Sequence, residues 1–249
     1  MGIAYNSSPV IDGLGFSLDF ANTKNYSGSG SATTDSIIPA TGALSNASYY
    51  SYDSGTKSMN FTRDAVSVAG SSHAATLTGA LAASTFLYTS FSVEILARIN
   101  DLAPGGYNAN ETESFLCGYQ GYHAGFSYTS SSFRFGMWNG TSFGVLSTTA
   151  GTSSGNVIQG QWFHAVFTRS GTTNTIYING VSVATNTSST SSGNPGITNN
   201  YKIANGNGGT GPYAYYCKCN VALTRLYTKA LSAAEVQQNF NSVRGRYGL

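Results

Sequence analysis

The sequence predicts an all-β fold closed by one short C-terminal helix. Three observations carry that prediction. Apolar and polar residues alternate with a period of two through most of the chain, as in half-buried strands. Asn179-Gly180 separates two such runs and supplies the two positive-φ residues of a tight hairpin turn. Ser232-Ala-Ala-Glu235 then opens the one segment whose apolar residues fall at helical spacing.

Taken in chain order, Phe16, Leu18 and Phe20 alternate with Ser17 and Asp19. In FSVEILARI, Phe91, Val93, Ile95, Ala97 and Ile99 face one way, and Ser92, Glu94, Leu96 and Arg98 the other. SFLCGY and SFRFGMW repeat the pattern, with Phe133, Phe135 and Met137 opposite Arg134, Gly136 and Trp138. The block GQWFHAVFTRSGTTNTIYINGVSVAT, residues 160–185, places Trp162, His164 and Val166 on one face and Phe163, Ala165 and Phe167 on the other. Apolar residues on both faces predict a central strand that is covered on each side. Residues 26–34, 104–110 and 185–200 read as polar loops. The helix follows Ser232 and turns Val236, Phe240 and Val243 toward the sheets. With strands spread this evenly and no internal repeat, residues 1–249 read as one domain.

Composition narrows the function classes. Hydrophobic residues are 41% of the chain and aromatic residues 13%, which supports a sizeable core. Charged residues are only 9%, against about a quarter in ordinary soluble domains, so the surface must be built from hydroxyls and amides. The net charge is +2 with the basic residues scattered, so no stripe of cations is available for nucleic acid. No apolar run reaches membrane-spanning length, and the first residues show neither the basic patch nor the apolar run of a secretion signal. Synthesis in a host cytoplasm is the expectation. Cys117, Cys217 and Cys219 make neither a disulfide framework nor a four-ligand zinc set, and read as packing thiols.

Four blocks, in order, resemble the laminin-G-like, concanavalin-A-like jelly-roll domain of many bacterial and phage proteins. They are GLGFSLDFANTKNYSGSGS, FSVEILARI, GQWFHAVFTRSG…TIYINGVSVAT and LTRLYTKALSAAEVQQNFNSVRGRYGL. The last is similar to versions carried by marine bacteriophages. The resemblance implies a two-sheet antiparallel β-sandwich, a concanavalin-A-like jelly roll, with the first and last strands brought together. One family strand is altered here to Asn60-Phe-Thr-Arg-Asp64-Ala-Val-Ser-Val68, with much of its acidic character gone. Asp64 alone is a poor ligand set for calcium, which takes six or more oxygens, so no metal and no cofactor is expected.

Catalytic groups are sparse. A glycosidase needs two carboxyls about 5–10 Å apart, and only Glu111 and Glu113 stand close in sequence. They read as a solvated loop edge, and the E-x-D-x-x-E pattern of jelly-roll glucanases is missing. His73, His123 and His164 are the only histidines, and no Gly-x-Ser-x-Gly elbow accompanies them. His164 reads as a hydrogen-bonded core residue. Glu94 reads as a structural partner of Arg98 or Arg169.

The expected function is therefore non-catalytic. The resemblance of the closing block implies a bacteriophage virion component, a capsid decoration or a fibre part at the virion surface. Its expected partners are capsid or tail proteins, further copies of itself, and host surface glycans. The alternative is a carbohydrate-binding lectin module, with Tyr107, Tyr119, Tyr122 and Trp138 near strand ends as candidate glycan contacts. A glycoside hydrolase ranks last.

Overall fold

The computed structural model describes residues 8–34, 36–37, 41–44, 47–62, 75–78, 90–102, 114–119, 124–138, 143–187, 200–204 and 217–249. In chain order the strands are β1 (Leu14–Asp19), β2 (Ala32–Thr34), β3 (Thr41–Leu44), β4 (Tyr50–Asp53), β5 (Ser58–Phe61) and β6 (Ala75–Thr78). They continue as β7 (Ser90–Asp101), β8 (Ser114–Tyr119), β9 (Ala124–Tyr128), β10 (Ser132–Trp138), β11 (Phe143–Gly151) and β12 (Val157–Ile158). The last are β13 (Trp162–Ser170), β14 (Thr173–Ile178), β15 (Val181–Thr187), β16 (Asn200–Ile203) and β17 (Lys218–Tyr227), followed by helix α1 (Ala233–Tyr247).

These strands form two sheets. One runs β15-β14-β13-β7-β17-β5-β4, and the other β12-β11-β10-β9-β8-β16-β6-β3-β2. In the first sheet, one edge of β17 is shared: β5 pairs with its first half and β1 with its second. The first and last strands thus meet, with Leu18 opposite Thr224. Apart from the parallel pair β11–β12, the described pairings are antiparallel. Residues 32–34, which read as loop, form an edge strand instead.

The inward faces are the ones that alternation marks. Phe91, Val93, Ile95, Ala97 and Ile99 of β7 meet Phe133, Phe135 and Met137 of β10 in one buried core. Aromatic pairs bind the sheets together: Phe135 stacks on Phe167 at 3.8 Å, and Phe133 meets Phe163 edge-on at 5.2 Å. Each such pair adds about 0.5–1.5 kcal/mol beyond the area it buries. Cys217 and Cys219 are buried in this core.

The helix covers the outer face of the first sheet. Its capping box is complete, and Gly248 ends it in the left-handed region at φ 69. Val236 packs with Val166 and Tyr227, and Val243 with Leu96 and Leu223. This explains why β13 is apolar on both faces. Asn179 (φ 51) and Gly180 (φ 82) form the expected turn, which abuts the helix: a Cβ on Gly180 would lie 2.5 Å from Gln237 Oε1. The positive φ favours glycine here, and a larger residue would also have to push the end of Gln237 aside.

Candidate functional site

The outer face of the first sheet has two polar regions. One lies beneath the helix and is sealed; the other lies past the helix C-terminus and is open.

In the sealed region Glu94 is fully buried. Its Oε1 accepts from Arg225 Nη1 and faces His164 Nε2, each at 2.9 Å. Its Oε2 accepts from Asn239 Nδ2 at 2.8 Å and from the Tyr227 hydroxyl at 3.2 Å. The four acceptor positions of the carboxylate are thereby filled. Burial alone would raise the Glu94 pKa, but the Arg225 guanidinium, with His164 and Tyr227, holds it down at about 2. Burial and the Glu94 charge push the Tyr227 phenol well above its ordinary value.

These partners correct the sequence expectation for Glu94. Arg98 and Arg169 are not its partners: Arg98 bonds Asn100 and Asn220, and Arg169 Nη1 bonds Asn174 at 2.9 Å. The cause is a bulge. The pairing of β17 with β7 slips between Val221 and Leu223, which puts Asn220 and Arg225 on the same outer face although they lie five residues apart. His164 is a buried, hydrogen-bonded residue as expected. Asn239 has its own anchor, accepting from the Val10 backbone N–H at 2.8 Å.

In the open region five residues line up across five strands. Trp162 of β13 stands opposite Arg98 of β7, which stands opposite Asn220 of β17. Asn220 in turn faces Asn60 of β5, and Asn60 faces Ser51 of β4. At about 4.8 Å between strands this row spans roughly 19 Å. Asn220 is buried, Trp162, Arg98 and Asn60 are half-buried, and Ser51 is exposed.

The row is cross-linked. Arg98 Nη2 donates to Asn220 Oδ1 at 3.0 Å, and Arg98 Nε donates to Asn100 Oδ1 at 3.1 Å. Asn100 Nδ2 donates to Asn220 Oδ1 at 2.8 Å and to Asn60 Oδ1 at 3.2 Å. Asn60 Nδ2 donates to Ser51 Oγ at 3.3 Å. The Arg98 guanidinium lies over the Trp162 ring, 5.4 Å from its centroid, and Tyr247 packs on the same ring at 4.5 Å. These contacts hold the side chains of the row in place.

Of the four aromatic residues singled out from sequence, Tyr107 and Tyr122 lie outside the described residues. Tyr119 ends β8 and Trp138 ends β10, with β9 between them. Tyr119 pairs with Ala124, which pairs with Met137, so both aromatic positions sit at one end of the second sheet. Glu111, Glu113, Asp64, His73 and His123 also lie outside the described residues. Among the described residues, no group of three or more His, Cys, Asp or Glu side chains is placed to hold a metal ion. No helix among them is long and apolar enough to cross a membrane.

The laminin G profile of the concanavalin A-like lectin/glucanases superfamily matches residues 70–237. The chain belongs to this superfamily. Comparison of the superfamily member with curated proteins gives no match. Among solved structures it is similar to botulinum neurotoxin type C, whose passage into cells is dependent upon interaction with two ganglioside molecules. The TM-score is 0.66 at 14% identity, over 93% of this chain and 51% of that one. The binding domain of botulinum neurotoxin DC is similar in its complex with rat synaptotagmin II, with TM-score 0.65, 15% identity and coverage of 93% and 52%. The same domain in complex with SialylT gives 0.61, 16%, and 93% and 52%. Trypanosoma rangeli sialidase in complex with 2,3-difluorosialic acid gives 0.58 at 17% identity, covering 92% of this chain and 33% of that one. The chain spans about half the length of the toxin domains. At these identities the likeness is one of fold.

Proposed function

We propose that the chain is a non-catalytic carbohydrate-recognition domain that binds saccharides on the open half of the first sheet's outer face. The observation that carries this reading is the in-register row Trp162–Arg98–Asn220–Asn60–Ser51, with Asn100 cross-linking it. Sugar hydroxyls both donate and accept, and amide and hydroxyl side chains meet both needs. A surface with only 9% charged residues in the whole chain suits such a ligand. Membership of a lectin-containing superfamily supports the reading, as do similar toxin domains that interact with gangliosides or are seen with SialylT.

The carboxylates support the non-catalytic part. Glu94 is enclosed by its four partners, Asp101 pairs with Lys218, and Asp19 pairs with Arg246. Asp12 and Glu235 pair with Lys229, and Asp53 accepts from the backbone N–H groups of Gly55 and Thr56. Each described carboxylate thus has a structural commitment that leaves it poorly placed to handle a proton.

Display on a virion, as a decoration or fibre component among capsid or tail proteins and further copies of itself, is a second reading. It rests on the resemblance of the closing RGRYGL block to phage versions. That block also serves the local fold, since Arg246 pairs with Asp19, Tyr247 packs on Trp162, and Gly248 caps the helix. Mass spectrometry of purified particles tests the placement; absence of the chain from particles refutes it.

A glycan array with purified protein tests the main reading. Binding is expected, with loss of signal on Asn100→Ala and retention on Trp138→Ala or Tyr122→Ala. The opposite pattern moves the site to the second sheet. An empty array removes the reading altogether.

A further inference from the structure

Arg98 differs from four other described cations of this chain. Lys218, Arg225, Lys229 and Arg246 each pair with a carboxylate. Arg98 instead spends two of its N–H groups on neutral amide oxygens, those of Asn100 and Asn220, and lays its plane over Trp162. A guanidinium carries five N–H donors, so three remain after these contacts. Among the described residues Arg98 has no carboxylate partner, and it is half-buried. Asp53, a carboxylate near enough to feel its charge, is already held by the N–H groups of Gly55 and Thr56.

Such an arrangement holds a cation ready without neutralising it. Amides fix the guanidinium's direction and leave its charge intact, and the indole beneath it stabilises that charge further. An incoming carboxylate would meet a pre-oriented fork, with the bidentate geometry that lysine cannot offer. On either side the groups are neutral: Asn60 and Ser51 along the row, and the amide of Asn100. One fixed positive charge flanked by amides and a hydroxyl matches a ligand with one anionic group among many hydroxyls.

We infer that the row selects acidic saccharides, with the Arg98 guanidinium taking the carboxylate of a sialic or uronic acid unit and Asn60, Asn100 and Ser51 meeting neighbouring hydroxyls. The inference rests on the saccharide-binding reading above and names its ligand class. Trp162 acts here as a positioning residue. Its ring carries Arg98 and Tyr247, so it sets the guanidinium plane rather than serving as a platform for sugar.

Titration calorimetry with the intact chain tests this, using two matched pairs: sialyllactose against lactose, and trigalacturonate against its methyl ester. The acid member of at least one pair is expected to bind about tenfold or more tightly, the scale of one charged hydrogen-bonded contact. That preference should shrink in high salt. It should collapse toward unity in Arg98→Gln, and also in Asn100→Asp, which places a competing carboxylate beside the guanidinium. Arg98→Lys should restore only part of it. Thermal melting of each variant confirms that it is folded. Equal affinity within both pairs, or a preference that survives Arg98→Gln, overturns the inference while leaving saccharide binding intact. If neither pair binds but the array shows a neutral glycan, the inference again falls alone. Failure of both experiments takes the saccharide reading with it.

Discussion

Replacing Glu94 by Gln is the sharpest perturbation of the helix-covered face. The substitution keeps the shape but removes the charge that Arg225 and His164 surround. It also turns an acceptor into an amide donor facing Asn239 or Tyr227. Removing one member of a buried ion pair typically costs about 3–5 kcal/mol, because the other charge stays behind unpaired. Linkage gives an independent figure: the drop in the Glu94 pKa from 4.5 to about 2, at about 1.4 kcal/mol per pH unit, corresponds to about 3 kcal/mol. Urea unfolding at neutral pH, followed by tryptophan fluorescence, should show this loss as a lower midpoint with an unchanged slope.

The pH dependence has a definite sign. A carboxylate whose folded pKa lies below its unfolded value stabilises fully above pH 4.5, and that contribution fades as pH falls toward 2. Stability of the unaltered protein should therefore decline over that window. Asp53 and Glu235, also lowered, add to the decline in both proteins, so the difference between them isolates Glu94. A variant within about 1 kcal/mol of the parent, with the same acid profile, refutes the enclosed carboxylate described above.

Two further perturbations test how the helix is held. Gly180→Ala should destabilise by roughly 1–3 kcal/mol, from its positive φ of 82 and the contact with Gln237. Adding Gln237→Ala should recover the contact part only, as a double-mutant cycle in thermal unfolding would show. Ser232→Ala should cost about 1 kcal/mol by removing the capping box, measurable in urea, with saccharide binding unchanged.

Much of the fold was legible because it is local. Alternation in β7, β10 and β13 identified the inward residues, Asn179-Gly180 identified the turn, and Ser232 with Glu235 identified the helix start. The site was not local. Arg225 and Asn239 lie 131 and 145 residues from Glu94, and Arg98 itself offered a nearer cation that pairing by proximity would choose. The bulge at Val221–Leu223 inverts the phase of β17, and no residue type there announces it. The polar row required the register of five strands at once. Its one sequence signal was Trp162 beginning a strand whose other outer-face residues, His164 and Val166, go under the helix. Asn239, a polar residue within the helix's apolar stripe, was the comparable clue to the buried cluster.

Where a sugar sits on the two sheets is the decisive observable. Amide-resolved NMR during titration with sialyllactose or a glycan bound on the array would locate it. The side-chain amide signals of Asn60 and Asn100 and the indole signal of Trp162 should move together and saturate at one ligand concentration. Shifts confined to the ends of β8 and β10, near Tyr119 and Trp138, would contradict binding on the polar row.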